Sequence, residues 1–275
     1  MKAGVAQKLS ASWLGRLGSD KLLRSFGMLG LGEGCNRITR IVTTIVLARY
    51  LGAVEFGIAA TAITCFELVR VFAQNGLSQM VVRASDEDLA ATCNTAYRLI
   101  VWICVFMAAL QLAAGAGLAW LAGRPELFVM IACLVGVYAV LPFCMVQYWL
   151  LQRAYRMGTV AGITTAQVCA DNILTAGLAI CGFGAWAIVL PKLLTAPIFM
   201  IGSRWAVKWQ YDRSAGGMPF VATARFCVPI LASEMLVAVR GNADKMLVGS
   251  ILGLEALGIY YFAFNAGYGL SSVLT

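Results

Sequence analysis

The sequence predicts an all-α, polytopic transmembrane helix bundle of about eight spans: a first six-helix lobe followed by the start of a second, parallel repeat. Three observations predict it. Hydrophobic residues make up 61% of the 275 and charged residues only 12%, and the mean hydropathy is +0.82. A soluble chain of this length needs far more polar surface to cover its core. The apolar residues fall in runs near the ~20 residues a helix needs to cross the hydrocarbon layer. Segments of about ten alternating apolar and polar residues, the mark of a membrane β-barrel, are missing.

The eight spans are Met28–Leu47, Phe56–Leu77, Leu99–Leu121, Leu127–Leu151, Thr159–Ile180, Trp186–Ile201, Phe226–Leu247 and Leu257–Thr275. The third to sixth are the most uniformly apolar. The first, second and seventh carry charges, and the last reaches the chain end. Turn signals separate them at Leu51-Gly52, Arg124-Pro125, Gly182-Phe183-Gly184 and the polar stretch Tyr211–Gly217. Short connections suit a bilayer, where an unpaired backbone group is costly. Pro142, Pro191, Pro197 and Pro229 lie in or near spans and are expected to kink them. Gly30 and Gly34 stand four apart on the first span, a spacing that suits close helix packing.

Basic residues set the orientation. With the N-terminus inside, the inner segments hold thirteen Lys and Arg, among them Arg16, Arg83, Arg153, Arg204 and Arg225. The outer loops hold only Arg49 and Arg124. That asymmetry predicts a cytoplasmic N-terminus and makes the net charge of +8 a matter of topology, with no nucleic-acid partner. Residues 1–24 read as a cytoplasmic segment without a cleavable signal, either a tail or an interfacial helix around Trp13, Leu14 and Leu17.

The chain compares with itself, without a gap, at an offset of 201 residues. Arg24 falls on Arg225 and Glu33 on Glu234, and the Leu51-Gly52…Gly57-Ile58 turn falls on Leu252-Gly253…Gly258-Ile259. Six spans separate the copies, so both run in the same direction. The expected organisation is a first lobe over 25–203, a cytoplasmic inter-lobe loop over 204–220, and a shortened second lobe over 221–275. A full second lobe needs about four more helices, so a fragment, a split gene product or a shortened homologue is expected.

Composition also excludes chemistry. The chain has no histidine, which removes imidazole acid–base catalysis, His-dependent nucleophiles and imidazole metal sites. Its nine cysteines form no CxxC pair and read as small buried hydrophobes. No cofactor, metal or catalytic residue is expected. The Asp86-Glu87-Asp88 cluster reads as a solvated loop cap.

The candidate binding residues are the charges within the spans. A charge at the bilayer centre costs at least ~2.5–3.5 kcal/mol on insertion scales, so each needs a partner or a wet cavity. Glu33, Arg37 and Arg40 share one face of the first span. Asp171 lies in the fifth span and Lys192 follows Pro191 in the sixth. Glu234, Arg240, Asp244 and Lys245 lie in the seventh. Glu67 and Arg70, at i and i+3, read as an internal salt bridge, and Asp244 and Lys245 as an interfacial pair. The surplus of cations in the first, sixth and seventh spans calls for an anion, and guanidinium groups hold phosphate bidentately.

The stretch Leu47-Ala48-Arg49-Tyr50-Leu51-Gly52-Ala53-Val54-Glu55-Phe56-Gly57 resembles the turn between the first two helices of bacterial polysaccharide exporters. Asn242–Gly249, Leu252-Gly253 and Leu257–Tyr260 are similar to the seventh-helix region of the same group. These are the O-antigen and exopolysaccharide flippases of the multidrug/oligosaccharidyl-lipid/polysaccharide superfamily. The resemblance spans Lys21–Thr275. It implies residence in the bacterial inner membrane and alternating access. The implied cargo is a polyprenyl-pyrophosphate-linked oligosaccharide, whose pyrophosphate would meet Arg37, Arg40, Lys192 and Arg240. Glu33, Asp171 and Glu234 are the candidates for a coupling ion. Membrane lipids, a polysaccharide polymerase complex and a chain supplying the missing helices are the expected partners. Two alternatives stay open: a multidrug exporter of the same superfamily, and a membrane-embedded polymerase or glycosyltransferase.

Overall fold

The computed structural model describes residues 19–74, 76–212, 216–218 and 220–271. The expected interfacial segment lies outside the described residues up to residue 18, as do the last four residues of the final span.

All the regular structure described is helical, as the sequence predicts. The elements are α1 (Ser19–Tyr50), α2 (Ala53–Gln74), α3 (Gly76–Arg83), α4 (Leu89–Ala122), α5 (Pro125–Val140), a single 3₁₀ turn (Leu141–Phe143), α6 (Met145–Arg153), α7 (Met157–Ile180), α8 (Trp186–Ala206) and α9 (Phe220–Ser271). Among the described residues, six helical stretches are long and apolar enough to cross a membrane: 53–83, 89–122, 125–143, 157–180, 186–206 and 225–265. The difference from eight spans has two causes. Helix α1 is 32 residues long, but Glu33, Arg37 and Arg40 make it too polar to qualify. Helix α9 runs through the seventh and eighth spans together, broken only at Gly253, whose φ of 85° is open to glycine and strained for other residues.

Helix α4 shows how the periodicity works. Ile100, Cys104, Met107, Gln111 and Gly115 recur at three and four residues and are buried. Trp102, Val105 and Phe106, on the other face, are exposed large apolar groups suited to lipid tails. The buried Gln111 of this helix is paired: it donates to the Ile131 carbonyl oxygen at 2.8 Å and accepts from the Tyr138 hydroxyl. The expected fourth span is interrupted, because Pro142 lacks an N–H and sits in the 3₁₀ turn between α5 and α6. Helix α2 is the most buried element, from Phe56 to Val69, and packs against α4, α5, α8 and α9.

The two copies of the repeated turn meet each other. A Cβ on Gly57 would stand 1.8 Å from the Leu254 carbonyl oxygen, and a Cβ on Gly258 would stand 1.8 Å from the Ala53 carbonyl oxygen. Residue 254 is residue 53 displaced by the repeat offset, and 258 is 57 displaced likewise. Each copy therefore places its glycine under the backbone of the other. Gly30 and Gly34 do not act this way, since nothing lies within 4 Å of a Cβ at either. The close approach on α1 is Gly32, whose Cβ would lie 2.6 Å from Thr165 Oγ1 of α7.

Below α1, Asn36, Thr39 and Thr43 continue that face against Cys169 and Asn172 of α7. The Asn172 amide donates to Thr39 Oγ1 at 3.1 Å, and the Thr43 hydroxyl lies 2.9 Å from the Asn172 carbonyl oxygen. None of the nine cysteines is in a disulfide. Five are buried, as expected, while Cys35 and Cys181 are exposed.

The loop after α8 is docked on the start of α4. Buried Asn94 donates to the Asp212 and Gly216 carbonyl oxygens at 2.5 and 3.2 Å and accepts from the Asp212 N–H. The Met218 N–H donates to Thr95 Oγ1 at 2.8 Å, and Tyr97 packs on Trp209. Asn94→Ala removes the amide that holds the Asp212 and Gly216 backbone against α4, at a cost of about 0.5–1.5 kcal/mol per hydrogen bond. The expected result is a lower melting temperature and faster proteolysis at Lys208, read by limited digestion of the purified protein.

Arg153 fastens α6 to α3. Its guanidinium donates to the Val81, Val82 and Ala84 carbonyl oxygens at the α3 C-terminus and pairs with Asp86 at 2.6 Å. A cation there satisfies the last carbonyls of a helix and its dipole together. Within the acidic cluster, Asp86 is thus an ion-pair partner, and Asp88 accepts from the Ser85 hydroxyl.

Candidate functional site

Among the described residues, two neighbouring cavities share part of their lining. The smaller, about 290 Å³, is lined by Arg40, Thr43 and Thr44 of α1, Phe56 and Glu67 of α2, Asp171, Asn172 and Thr175 of α7, Lys192 of α8, and Tyr261 and Asn265 of α9. It lies toward the end that carries the α1–α2 and α7–α8 turns. The larger, about 360 Å³, is lined by Arg70, Ser78, Tyr148, Trp149, Gln152, Thr164, Gln167, Asp171 and Lys192, with apolar residues of α5, α6 and α8. It lies toward the opposite end. Asp171, Lys192 and Val168 line both.

Asp171 and Lys192 form an ion pair at 2.6 Å, with their side chains 13% and 37% exposed. Asp171 stands nine residues from the end of α7 at Ile180, about 13 Å at ~1.5 Å per residue. Its other oxygen, Oδ1, is buried and has no hydrogen-bond partner among the described residues. The pair sits where the two cavities meet.

Of the sequence-predicted cations, Arg40 and Lys192 come together in the smaller cavity. Arg40 donates through Nη2 to Asn265 Oδ1 at 2.9 Å, which ties α1 to the second limb of α9. Arg37 lies in neither cavity and pairs instead with Glu33, one turn back, at 3.3 Å. Arg240 and Glu234 also line neither cavity, and Arg240 is exposed on α9. Among the acidic candidates, only Asp171 reaches a cavity.

Glu67 lines the smaller cavity and Arg70 the larger, where its guanidinium lies 5.9 Å from the Phe66 ring centroid. Asp244 accepts from the Tyr260 hydroxyl. Lys245 is buried, donates to Asn242 Oδ1 at 3.0 Å and lies over the Tyr261 and Phe264 rings at 5.8 and 5.2 Å. Those aromatic contacts and that amide surround the charge.

The sequence reading missed the polar lining, Thr43, Thr44, Asn172 and Asn265. The available signal was the three- and four-residue recurrence of small polar groups on α1, which runs from Asn36 through Thr39 to Thr43. The arrangement provides two cations, hydroxyls and amides around a membrane-embedded void near the size of small-ligand sites. Among the described residues, no group of three or more Cys, Asp or Glu is placed to hold a metal ion.

Comparison with known proteins follows the same line. A family profile described as "Polysaccharide biosynthesis protein" matches residues 46–275. The "Succinoglycan biosynthesis transport protein ExoT" of Rhizobium meliloti (strain 1021) is 24% identical over 225 residues, covering 80% of this chain. The chain spans 44% of that relative's length. No solved structure matches the chain at a significant level.

Proposed function

The chain belongs to the polysaccharide biosynthesis protein family, and from that premise we propose that it moves a polyprenyl-pyrophosphate-linked oligosaccharide across the bacterial inner membrane by alternating access. It is a multi-pass membrane protein, and we place its N-terminus in the cytoplasm on the asymmetry of its basic residues. The observation that carries the reading is the convergence of Arg40 and Lys192 on one membrane-embedded cavity. A planar guanidinium beside an ammonium suits a pyrophosphate, which has oxygens enough for both. Thr43, Thr44, Asn172 and Asn265 supply the hydrogen-bonding groups a hydrated cargo needs, and Phe56 and Phe262 supply apolar walls.

Asp171 fits a coupling role in this scheme. Its carboxylate balances Lys192 when the site is empty, and its second oxygen is available to a proton or a small cation. An arriving phosphate then competes with Asp171 for Lys192.

Arg40→Gln and Lys192→Gln are expected to abolish surface polysaccharide in a strain that depends on this gene, with membrane protein levels unchanged. Immunoblotting and polysaccharide staining check this, and normal polysaccharide in both variants refutes the assignment. A second reading has one observation in its favour. Glu67 and Asp171 share the smaller cavity with Phe56, Tyr261 and Phe262, a lining that suits an organic cation. Drug hypersensitivity of a deletion strain with intact polysaccharide supports that reading instead.

A further inference from the structure

Helices α1 and α7 meet along a seam that carries a pair of thiols. A Cβ on Gly32 would lie 2.6 Å from Thr165 Oγ1, so the two helices run close there. One turn on, Cys35 Sγ stands 3.5 Å from Cys169 Sγ, across 134 residues of chain. The neighbouring groups hold the sulfurs in place. Cys169 Sγ lies 3.4 Å from Asn36 Oδ1 and 3.9 Å from the Thr39 hydroxyl. Thr39 is fixed in turn by the Asn172 amide at 3.1 Å. A disulfide needs the sulfurs about 1.5 Å closer, at about 2.05 Å. That is a small movement for two side chains on helices already in contact. Cys35 is also reachable. It is exposed, and it opens a stripe that continues through Ile38, Val42 and Ile45, exposed apolar residues suited to lipid tails. A lipid-soluble oxidant therefore meets this thiol.

We propose that Cys35 and Cys169 are a redox-responsive dithiol, which a membrane quinone oxidises to a disulfide that staples α1 to α7. Each thiol gives up one proton and one electron, the sulfur–sulfur bond forms, and the quinone leaves as hydroquinone. A thiol reductant reverses the step by exchange. The staple lies beside the smaller cavity. Arg40 and Thr43 follow Cys35 on α1, Asp171 and Asn172 follow Cys169 on α7, and all four line that cavity. At about 290 Å³ the cavity has the size of a small-ligand site, and an oligosaccharide needs its walls to part. The disulfide holds two of those walls together, so the oxidised chain passes cargo slowly. That consequence rests on the transport reading above; the dithiol does not.

The test counts thiols in the full chain in phosphatidylcholine nanodiscs. The protein is treated with decylubiquinone, denatured and labelled with a polyethylene glycol maleimide. Wild type is expected to lose two of its nine thiols, and dithiothreitol should restore both. Cys35→Ser and Cys169→Ser should each lose none. Peptide mapping of the wild type without reductant should find Cys35 linked to Cys169, which keeps the result independent of how well either variant folds. No loss in wild type, a link between other cysteines, or a loss in either single variant overturns the dithiol. Passage is read in spheroplasts by the arrival of pulse-labelled, lipid-linked glycan at the outer leaflet, before and after the quinone. Wild type should slow about tenfold while Cys35→Ser keeps its rate. Equal slowing in the two strains, with the link formed in wild type, overturns the control of passage. If the link forms but arrival of the glycan does not depend on this gene, the transport reading fails and the dithiol stands.

Discussion

Replacing Gly57 or Gly258 with leucine is expected to remove the folded chain from the membrane. At both positions a Cβ would lie 1.8 Å from a backbone carbonyl oxygen of the facing helix. A rotamer change cannot relieve that contact, because both obstacles are main chain. The two helices must separate, and α2 is the most buried element of the bundle. Lipid offers no hydrophobic force to hold helices together, so their association depends on this kind of close packing. Overpacking a core costs about 1–3 kcal/mol where side chains can yield, and here they cannot. Gly57→Ala should already lower the melting temperature measured in detergent. The leucine variants should give no monodisperse peak in size-exclusion chromatography. Gly34→Ala is the control, since nothing lies within 4 Å of its Cβ, and it should melt with the wild type.

Breaking the Asp171–Lys192 pair gives the second large effect. Removing one partner of a buried pair strands the other charge, at about 3–5 kcal/mol when both are fully buried. Lys192 is 37% exposed and Asp171 only 13%, so the two variants should differ. Lys192→Gln strands the better-buried charge and is expected to cost about 2–3 kcal/mol, while Asp171→Asn should cost about 1–2 kcal/mol. The charge-swapped double variant, Asp171→Lys with Lys192→Asp, should recover most of the loss. Thermal unfolding of the four proteins in one detergent measures this as a double-mutant cycle. Additive losses, with no recovery in the swap, would show that the pair is not coupled.

The sequence made the architecture legible where one face of a helix is apolar and the other meets lipid. In α4 the buried series from Ile100 to Gly115 and the exposed series around Trp102 are both written in three- and four-residue steps. The repeated Leu-Gly-x4-Gly-Ile turn was legible too, but not its consequence. Two short strings of letters do not reveal that each glycine lies beneath the other copy's backbone. A helix broken at Gly253 and two helices joined by a short turn also look alike in sequence.

The site was legible only in part. Sequence spacing places Glu33, Arg37 and Arg40 on one stripe of α1, yet residues three apart still differ by about 60° around the helix at 3.6 residues per turn. That rotation sends Arg40 into the smaller cavity and leaves Arg37 beside Glu33. On α2, Glu67 and Arg70 each line a different cavity. Helix arithmetic determines which side chains share a face. It does not say which helix packs there, and the partner decides whether a charge is paired, caged or turned toward a cavity. Lys245 makes the point: Tyr261 and Phe264 cover it from sixteen and more residues along the chain.

The central claim is that Arg40 and Lys192 hold the pyrophosphate of a lipid-linked glycan during its passage. It is tested most directly by the sidedness of that lipid in spheroplasts. Cells carrying wild type or the Arg40→Gln, Lys192→Gln double variant at equal protein level are pulse-labelled with radioactive sugar. The lipid-linked product is then probed with a membrane-impermeant glycosidase. The account predicts label reaching the outer leaflet in wild type and accumulating, protected, on the cytoplasmic face in the variant. Equal digestion in the two strains would contradict it.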